Sequence, residues 1–343
     1  GTDEHGQKIW EASQKENKNV QDYVDHYAGK FLSLKDTLNL SNDNFIRTTD
    51  AEHLKAVVAF WNLCDKKGDI YKKKYKGIYC VGCEKFITEK DLVDGKCILH
   101  PTKTPEVVEE ENYFFALSKY QSYLEGYLSR EGVVVPAWRR EEALTFVRKG
   151  LEDFSISREK SRLDWGVSVP NDEDQVMYVW FDALTNYIST LGWPNDAEGN
   201  FKKFWEEGET VQLAGKDQVR FQSIMWQAML KSADLPATDI VAYHGFINSG
   251  GQKMSKSHSN IISPSELVAK YGTDATRYLL LRHVHPFEDT DITWDRLDEW
   301  YTANLVNGLG NLVARVMKLA EEHLEEPIAI PEASPFPDAL TAG

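Results

Sequence analysis

Cysteine is scarce in this sequence, with only four residues among 343. Cys64 stands alone, whereas Cys80, Cys83 and Cys97 lie close together. A disulfide scaffold needs many cysteines in a short secreted chain, so this class of protein is excluded. The clustering of three cysteines instead indicates a metal site in a reducing compartment, and we expect a cytoplasmic protein. Cys64, within an apolar pattern, is interpreted as a small buried hydrophobic residue.

Long apolar runs and an excess of positive charge are also missing. No run approaches the length of a membrane span, and the opening Gly1-Thr2-Asp3-Glu4 is not a signal peptide. The net charge of −15 argues against a broad nucleic-acid-binding surface, so any contact with RNA must come from a local patch. The length and the apolar fraction of 42% allow two or three domains with substantial cores.

Apolar strands that lead into amphipathic helices recur along the chain. The predicted strands are 44–49, 176–181, 211–215 and 240–243. Predicted helices follow Asp50, Asp182 and Asp217. Asp50 stands where it would cap its helix, and a cap is one of two interpretations of Asp217. Alternating strands and helices of this size predict an α/β fold with a doubly wound parallel sheet. The segment 71–174 interrupts this alternation as an insertion, and most of 106–162 is predicted to be helical.

Four residues with metal-ligand spacing fall inside this insertion. Cys80 and Cys83 form a C-x2-C pair, and Cys97 and His100 form a C-x2-H pair after thirteen intervening residues. Three thiolates and an imidazole make a closed tetrahedral set for structural zinc. The alternative, unrelated buried thiols, is less favoured because paired ligands at this spacing seldom arise by accident.

Basic residues near these ligands have two interpretations. The lysines between Tyr71 and Lys76 fit a solvated face better than a phosphate contact. Arg158 is either a phosphate ligand or a member of a surface ion pair.

The carboxyl ends of the predicted strands carry residues suited to a ligand crevice. Asp3 is placed to bind an ammonium group, or alternatively to cap a helix. Trp180, Ala183 and Tyr187 lie where one strand turns into its helix, although core packing explains any single aromatic equally well. Asp217, which follows Gly215 at the end of another strand, is placed to accept hydrogen bonds from ribose hydroxyls.

A glycine-rich loop with two lysines follows the last predicted strand. Its sequence is Gly250-Gly251-Gln252-Lys253-Met254-Ser255-Lys256-Ser257. A mobile loop of this kind can close over a polyphosphate and neutralise charge as it develops. Ordinary solvated loops share these features, so the loop alone does not decide its role.

A long amphipathic helix is predicted over 294–319, with Leu305, Leu309, Leu312 and Val316 on one stripe. Asn307, Asn311 and Arg315 recur every four residues and therefore share another face. Such a face suits the base edges of a splayed RNA loop, or else it is solvated or packs against another helix.

The sequence 253–257 is identical to the KMSKS signature of class I aminoacyl-tRNA synthetases, and the chain as a whole resembles the methionyl-tRNA synthetase family. The resemblance covers nearly the whole chain, and its motifs occur in the family's order. These motifs are Gly1-Thr2-Asp3-Glu4-His5-Gly6, the zinc knuckle 79–101, Trp180-Phe181-Asp182-Ala183 with Tyr187, Gly215-Lys216-Asp217, and the helix that bears Asn307, Asn311 and Arg315.

The resemblance implies activation of methionine by ATP and its transfer to tRNA(Met). In that reaction the methionine carboxylate attacks the α-phosphate of ATP, and catalysis consists of positioning and charge stabilisation. The implied cofactors are ATP, Mg²⁺ and one structural Zn²⁺, and the implied partners are L-methionine and tRNA(Met). The implied roles are these: catalysis, Lys253 and Lys256; ATP binding, Gly215, Asp217, His244, Lys253, Met254, Ser255, Lys256 and Ser257; methionine binding, Asp3, Trp180, Ala183, Tyr187, Gln222 and Trp226; zinc, Cys80, Cys83, Cys97 and His100; tRNA anticodon, Asn307, Asn311 and Arg315.

The resemblance also implies a division of the chain. Its parts are the first part of a Rossmann-type catalytic domain (1–70), the connective insertion with the knuckle (71–174), the second catalytic part (175–262), a stem-contact segment (263–296), the start of a helical anticodon-binding domain (297–330) and a linker (331–343). The family's first nucleotide motif, of the His-Ile-Gly-His type, is expected upstream of Gly1, and most of the anticodon-binding domain is expected beyond Gly343. We therefore expect the chain by itself to be impaired in catalysis.

Gln222 departs from the family, which usually has a histidine there. Glutamine donates a hydrogen bond but does not titrate.

Two other functions remain open from the sequence. One is a class I synthetase for leucine, isoleucine, valine or cysteine, although the insertion is short for a full editing domain. The other is a non-catalytic RNA-binding or zinc module descended from a synthetase, against which the complete signature 253–257 argues.

Overall fold

The computed structural model of the chain describes residues 1–82, 85–87, 89–98, 104–254 and 260–326. The α-helices in chain order are α1 Gln7–Lys15, α2 Val20–Leu32, α3 Leu34–Thr37, α4 Ala51–Lys66, α5 Gln121–Ser129, α6 Ala137–Arg148, α7 Val179–Leu184, α8 Asn186–Ser189, α9 Trp226–Ser232, α10 Pro264–Tyr271, α11 Thr273–His283, α12 Trp294–Trp300 and α13 Asn311–His323. Wider π-helical turns occur at Lys202–Glu206, Phe221–Met225 and Tyr301–Gly310.

The strands complete the secondary structure. In chain order they are β1 Ile70–Cys80, β2 Lys85–Ile87, β3 Leu92–Val93, β4 Lys96–Cys97, β5 Glu106–Phe115, β6 Val134–Val135, β7 Phe154–Ser155, β8 Ser157–Glu159, β9 Ser168–Val169, β10 Asp172–Met177, β11 Val211–Gly215, β12 Ile240–His244, β13 Ile247–Ser249, β14 Gln252–Lys253 and β15 Thr290–Asp291. Among the described residues, no helix is long and apolar enough to cross a membrane.

The chain forms two compact units. The first contains 1–246 and 285–290, and the second contains 247–284 and the residues from Asp291 onward. The finer six-part division stays a prediction.

A parallel sheet lies in the first unit, as predicted. Its strand order is β11-β12-β6, and the parallel register aligns Gly215 with His244. Because parallel strands present their carboxyl ends at one edge, the segments after β11 and β12 emerge side by side. The predicted strand 44–49 is reduced to a single parallel bridge between Thr2 and Arg47.

Helix α4 contributes one wall of the large core. Ala56, Val57, Phe60 and Cys64 recur at helical spacing and are fully buried, as the sequence predicts for Cys64. Burial raises the pKa of the Cys64 thiol to about 12, so it stays protonated at neutral pH.

The cap predicted at the start of α4 is wrong in one detail. Asp50 precedes the helix, but its side chain makes no capping bond and instead accepts from the Arg47 N–H at 2.9 Å.

Two secondary-structure predictions were wrong. Residues 106–115 form strand β5, which pairs antiparallel with β1 from Ile70 opposite Phe115 to Tyr79 opposite Glu106. Lysines of β1 lie opposite glutamates of β5, so cross-strand charge pairing stabilises strands whose composition resembles that of helices. The predicted strand 176–181 ends at Met177, and helix α7 begins at Val179. Strand β10 pairs with β8 and β9 in a separate antiparallel sheet, so it is not part of the parallel sheet.

The second unit has its own small core, formed by Ile262, Leu267, Leu279, Ile292 and Leu297. Helix α10 begins with a capping box, in which Ser263 and Glu266 satisfy each other's backbone N–H groups, and with Pro264 in its first turn. The predicted stripe on 294–319 is largely exposed in the described residues, since Leu309, Leu312 and Val316 are all exposed.

Removing the ring of Phe60 tests the core of the first unit. Phe60 contacts Phe181, Trp193 and Trp226 with ring centroids 5.5–5.9 Å apart. Phe60→Ala is expected to lower the free energy of unfolding of this unit by ~3–5 kcal/mol, measured by denaturant titration. The exposed control Lys55→Ala on the same helix should change it by ~0.5 kcal/mol or less. Equal losses in the two variants would contradict this packing.

Candidate active site

A cavity of about 480 Å³ lies within the first unit. Its walls come from the amino-terminal segment, helices α7 and α8, the end of β11 and the turns that follow it. The lining residues are Gly1, Thr2, Asp3, Ile46, Trp180, Ala183, Leu184, Asn186, Tyr187, Leu213, Ala214, Gln218 and Gln222. The cavity thus opens beside the carboxyl end of a parallel strand, where such sheets bind ligands.

Five of the six residues predicted to bind methionine line this cavity: Asp3, Trp180, Ala183, Tyr187 and Gln222. The sixth, Trp226, does not line the cavity. It is fully buried, with its ring centroid 6.2 Å from that of Tyr187, so it supports the wall from behind.

The aromatic wall has a defined geometry. Trp180 and Ala183 are three residues apart on α7 and therefore share a helix face. The Trp180 ring stacks on Phe221 with a centroid distance of 4.1 Å and an angle of 18° between the planes. Phe221, as the stacking partner of Trp180, was not predicted from the sequence.

A polar pair crosses the same wall. The side-chain amide of Gln222 donates to the Tyr187 hydroxyl at 2.7 Å. Burial raises the pKa of Tyr187, and the Gln222 bond lowers it by less. Tyr187 is therefore a neutral hydroxyl at physiological pH. The Gln222 Oε1 atom is buried and has no hydrogen-bond partner among the described residues.

The predicted ribose residues lie together at the sheet edge. Gly215 ends β11 opposite His244 at the end of β12, and Asp217 lies in the short 3₁₀ turn Lys216–Gln218. A Cβ atom on Gly215 would lie 2.7 Å from Asp217 Oδ1, so glycine leaves room for that carboxylate. The side chains of Asp217 and His244 are exposed, and His244 Nδ1 lies 2.8 Å from the Gly245 carbonyl oxygen.

A buried network beside the cavity was missed by sequence reasoning. Asp182 is 1% exposed, and its two carboxylate oxygens contact different histidines. Oδ2 lies 2.6 Å from His5 Nδ1, and Oδ1 lies 2.8 Å from His53 Nε2. His53 Nδ1 in turn lies 2.8 Å from the Ser189 hydroxyl. The only local signal was an acidic residue within an apolar run.

The histidines determine the charge state of Asp182. Burial acts to raise the pKa of this carboxyl, but attraction and hydrogen bonding from His5 and His53 outweigh burial, so its pKa lies below the usual value. Asp182 is therefore a carboxylate at neutral pH and accepts from both rings. A helix was predicted to follow Asp182, whereas α7 already begins at Val179, with Asp182 in its first turn and no side-chain cap at its start.

The glycines of the lysine loop form a tight turn. Strands β13 and β14 pair as a hairpin, with Asn248 opposite Lys253. Gly250 and Gly251, between them, have φ of 65° and 74°, as two-residue hairpin turns of type I′ require. The Gly251 N–H donates to Asp291 at 2.7 Å, and Met254 packs against the core of the second unit. Ser255, Lys256 and Ser257 lie outside the described residues.

Two of the four predicted zinc ligands are described. Cys80 ends β1 and Cys97 ends β4, and both are buried in one small cluster with Ile87. Cys83 and His100 lie outside the described residues. The described residues contain no group of three or more histidine, cysteine, aspartate or glutamate side chains that could hold a metal ion, so the four-ligand zinc site stays a prediction.

The remaining candidates separate into exposed and buried groups. Asn307, Asn311 and Arg315 are all exposed, with Asn307 in the π-helical turns before α13.

Arg158 is buried rather than on the surface. Its guanidinium donates to the Ser155 hydroxyl and to the Ser157 carbonyl, and it lies over the rings of Tyr79 and Tyr178. Its burial argues against a surface ion pair, which was one of its two interpretations, and the other, a phosphate ligand, stays a prediction.

Comparison with known proteins assigns a family to this geometry. The model of the family described as tRNA synthetases class I (M) matches residues 1–100 and 88–317. A methionine–tRNA ligase of a Nostoc species is 43% identical over 328 residues, which are 94% of this chain and 61% of the relative. A methionine–tRNA ligase of Caldanaerobacter subterraneus is also 43% identical, over 95% of this chain and 50% of the relative.

Solved structures agree with these sequence relatives. The methionyl-tRNA synthetase of Mycobacterium tuberculosis in complex with methionyl-adenylate superposes with a TM-score of 0.88 at 36% identity, covering 97% of this chain and 66% of that one. The apo form of the same protein gives a TM-score of 0.76 at 35% identity, covering 94% and 62%. The chain thus spans one half to two thirds of the length of the relatives it matches.

Neutralising Asp182 tests the buried network through its pH dependence. The pKa of Asp182 in the folded chain lies below its ordinary value of 3.8, so its stabilisation is complete above about pH 4 and is lost as the pH falls through the folded value. Asp182→Asn leaves one histidine N–H without its acceptor and is expected to cost ~1–3 kcal/mol of unfolding free energy at pH 7.

The difference between wild type and Asp182→Asn should shrink as the pH falls below about 4, as measured by denaturant unfolding at a series of pH values. Asp164→Asn, at an exposed carboxyl, serves as the control and should change stability little. A deficit in Asp182→Asn that is the same at pH 7 and pH 3 would show that the carboxylate charge is not what stabilises the network.

Proposed function

This chain belongs to the class I tRNA synthetases (M), and we propose that it forms the methionine-activating part of a methionine–tRNA ligase. The single observation that carries the proposal is the cavity whose lining brings together Asp3, Trp180, Ala183, Tyr187 and Gln222. These residues come from sequence positions up to 219 apart, and the sequence had marked each of them for the same ligand.

The lining suits methionine chemically. The exposed carboxylate of Asp3 offers a charge-assisted hydrogen bond to the ligand ammonium. The rings of Trp180 and Tyr187 with Ala183 offer an apolar wall, and sulfur–aromatic contacts add to the burial of a thioether. Gln222 holds the Tyr187 hydroxyl at 2.7 Å, which orients one polar group within that wall.

ATP would bind at the sheet edge and at the lysine loop. We assign the ribose to Gly215 and Asp217, with His244 beside the nucleotide, because these residues meet at the carboxyl ends of two adjacent parallel strands. The loop 253–257 would hold the triphosphate through Lys253, Lys256, the two serine hydroxyls and the backbone of Met254. Mg²⁺ would accompany ATP and share the charge of the phosphates.

Catalysis by this chain would then rest on positioning. Attack of the methionine carboxylate on the α-phosphate needs no enzyme nucleophile, since the substrate supplies its own. Lys253 and Lys256 would stabilise the negative charge that develops on the departing pyrophosphate.

The alternative function, a synthetase for a branched amino acid, is disfavoured. The Trp180 ring stacked on Phe221 makes a flat wall, which suits an unbranched side chain.

Two further parts would serve structure and tRNA binding. Cys80, Cys83, Cys97 and His100 would hold one structural zinc and leave no open position for a substrate. Asn307, Asn311 and Arg315, exposed on the last helical segment, would contact the anticodon of tRNA(Met). We place this activity in the cytoplasm, where the cysteines stay reduced.

Methionine-dependent ATP–pyrophosphate exchange tests the proposed function. In a protein that joins this chain to the family's upstream histidine-bearing motif, methionine should support exchange, whereas leucine, isoleucine and valine should not. Lys253→Ala and Lys256→Ala should each lower the exchange rate by ~10²–10³-fold, because each removes charge stabilisation from the transition state. Lys202→Ala, at an exposed lysine elsewhere, is the control. Exchange that is equally fast with leucine would contradict the proposal.

Metal analysis tests the zinc knuckle. The folded chain should contain one zinc per molecule, and Cys80→Ser or Cys97→Ser should lower that content well below one. Cys64→Ser is a matched control, because Cys64 is equally buried but lies in a different core cluster. A wild-type chain that folds without zinc would rule out the site.

A further inference from the structure

Two walls of the cavity are joined by buried polar side chains that do not themselves line it. His5 follows Asp3 by two residues in the amino-terminal segment, and Asp182 lies between Trp180 and Ala183 on α7. The 2.6 Å contact from His5 Nδ1 to Asp182 Oδ2 therefore ties the wall that bears the carboxylate to the wall that bears the indole.

Both ends of this connection are fixed by further contacts. On the α7 side, His53 occupies the second oxygen of Asp182 at 2.8 Å and contacts Ser189 of α8 through its other nitrogen. On the amino-terminal side, the His5 ring meets Trp165 edge-on at 5.4 Å, and the Trp165 indole donates to the Glu4 carbonyl at 2.7 Å. The Glu4 carboxylate accepts from Arg47 at 2.8 and 2.9 Å and from the Thr49 hydroxyl.

A buried carboxylate with two donors has little freedom to move. Asp182, His53 and His5 are 1%, 0% and 7% exposed, so a lost contact cannot be replaced by water without opening the core. Charge-assisted hydrogen bonds are also shorter and stronger than neutral ones. This carboxylate therefore restrains the separation of the two walls.

We propose that His5, Asp182 and His53 are positioning residues for methionine: their shared carboxylate fixes the separation between Asp3 and the Trp180–Ala183 face and so selects a side chain of methionine's length. The inference rests on the proposed function, since it takes methionine as the ligand of this cavity. An amino acid one methylene shorter or longer would not engage both walls at once.

The test compares His5→Ala with His5→Asn. Both variants lose the imidazole ring and its contact with Trp165. In asparagine, however, the amide nitrogen is attached to Cγ as Nδ1 is in histidine, so His5→Asn keeps a donor toward Asp182 and His5→Ala does not. Dissociation constants are measured on the full chain by calorimetry for L-methionine, S-methyl-L-cysteine (one methylene shorter) and L-ethionine (one methylene longer).

We expect wild type to prefer methionine over either analogue by ~10-fold or more. His5→Ala should bind methionine more weakly and lose most of this preference, whereas His5→Asn should retain it. A variant that is merely destabilised would lower all three affinities by the same factor, so the ratio isolates positioning from folding.

Other outcomes overturn the inference in distinguishable ways. An unchanged preference in His5→Ala, with wild type binding methionine, contradicts the positioning role and leaves the proposed function intact. Equal loss of preference in both variants assigns the effect to the ring contact with Trp165 and also overturns the role of the carboxylate. Absence of methionine binding by the wild-type chain overturns the inference together with the proposed function.

Discussion

The site depends on one buried carboxylate, that of Asp182, which two histidines share. Its oxygens accept from His5 and His53, and these three residues belong to segments that are far apart in the sequence. Without those two donors a charge with 1% exposure would be too costly to keep in the core. With them, the carboxylate joins the amino-terminal segment, α4 and α7 around the cavity, so the stability of the first unit and the shape of its ligand site have a common cause.

The parallel sheet supplies the second constraint. Because β11 and β12 run in the same direction, Gly215 and His244 end side by side, and Asp217 follows at once in a tight turn. The cavity opens at the same end of β11, next to Leu213 and Ala214. The cavity and the residues proposed for the nucleotide therefore both lie at the carboxyl end of β11, an arrangement that suits a reaction that proceeds by positioning.

The sequence predicted the cavity lining better than the secondary structure around it. Trp180, Ala183 and Tyr187 were identified because their motif is local, even though Trp180, assigned to the end of a strand, lies in helix α7 instead. Residues 106–115 were predicted to be helical, whereas they form a strand whose glutamates pair with lysines of β1. The roles of His5 and His53 were not predictable, since their shared partner lies 177 and 129 residues away. The burial of Arg158 between two tyrosine rings was likewise decided by tertiary packing.

A crystal structure of the chain grown with L-methionine is the most direct test of whether the cavity between Asp3 and Trp180 holds methionine. We expect ligand density in this cavity, with the ammonium beside the Asp3 carboxylate and the thioether against Trp180 and Tyr187. An empty cavity at saturating methionine would contradict it, as would a ligand bound elsewhere on the chain.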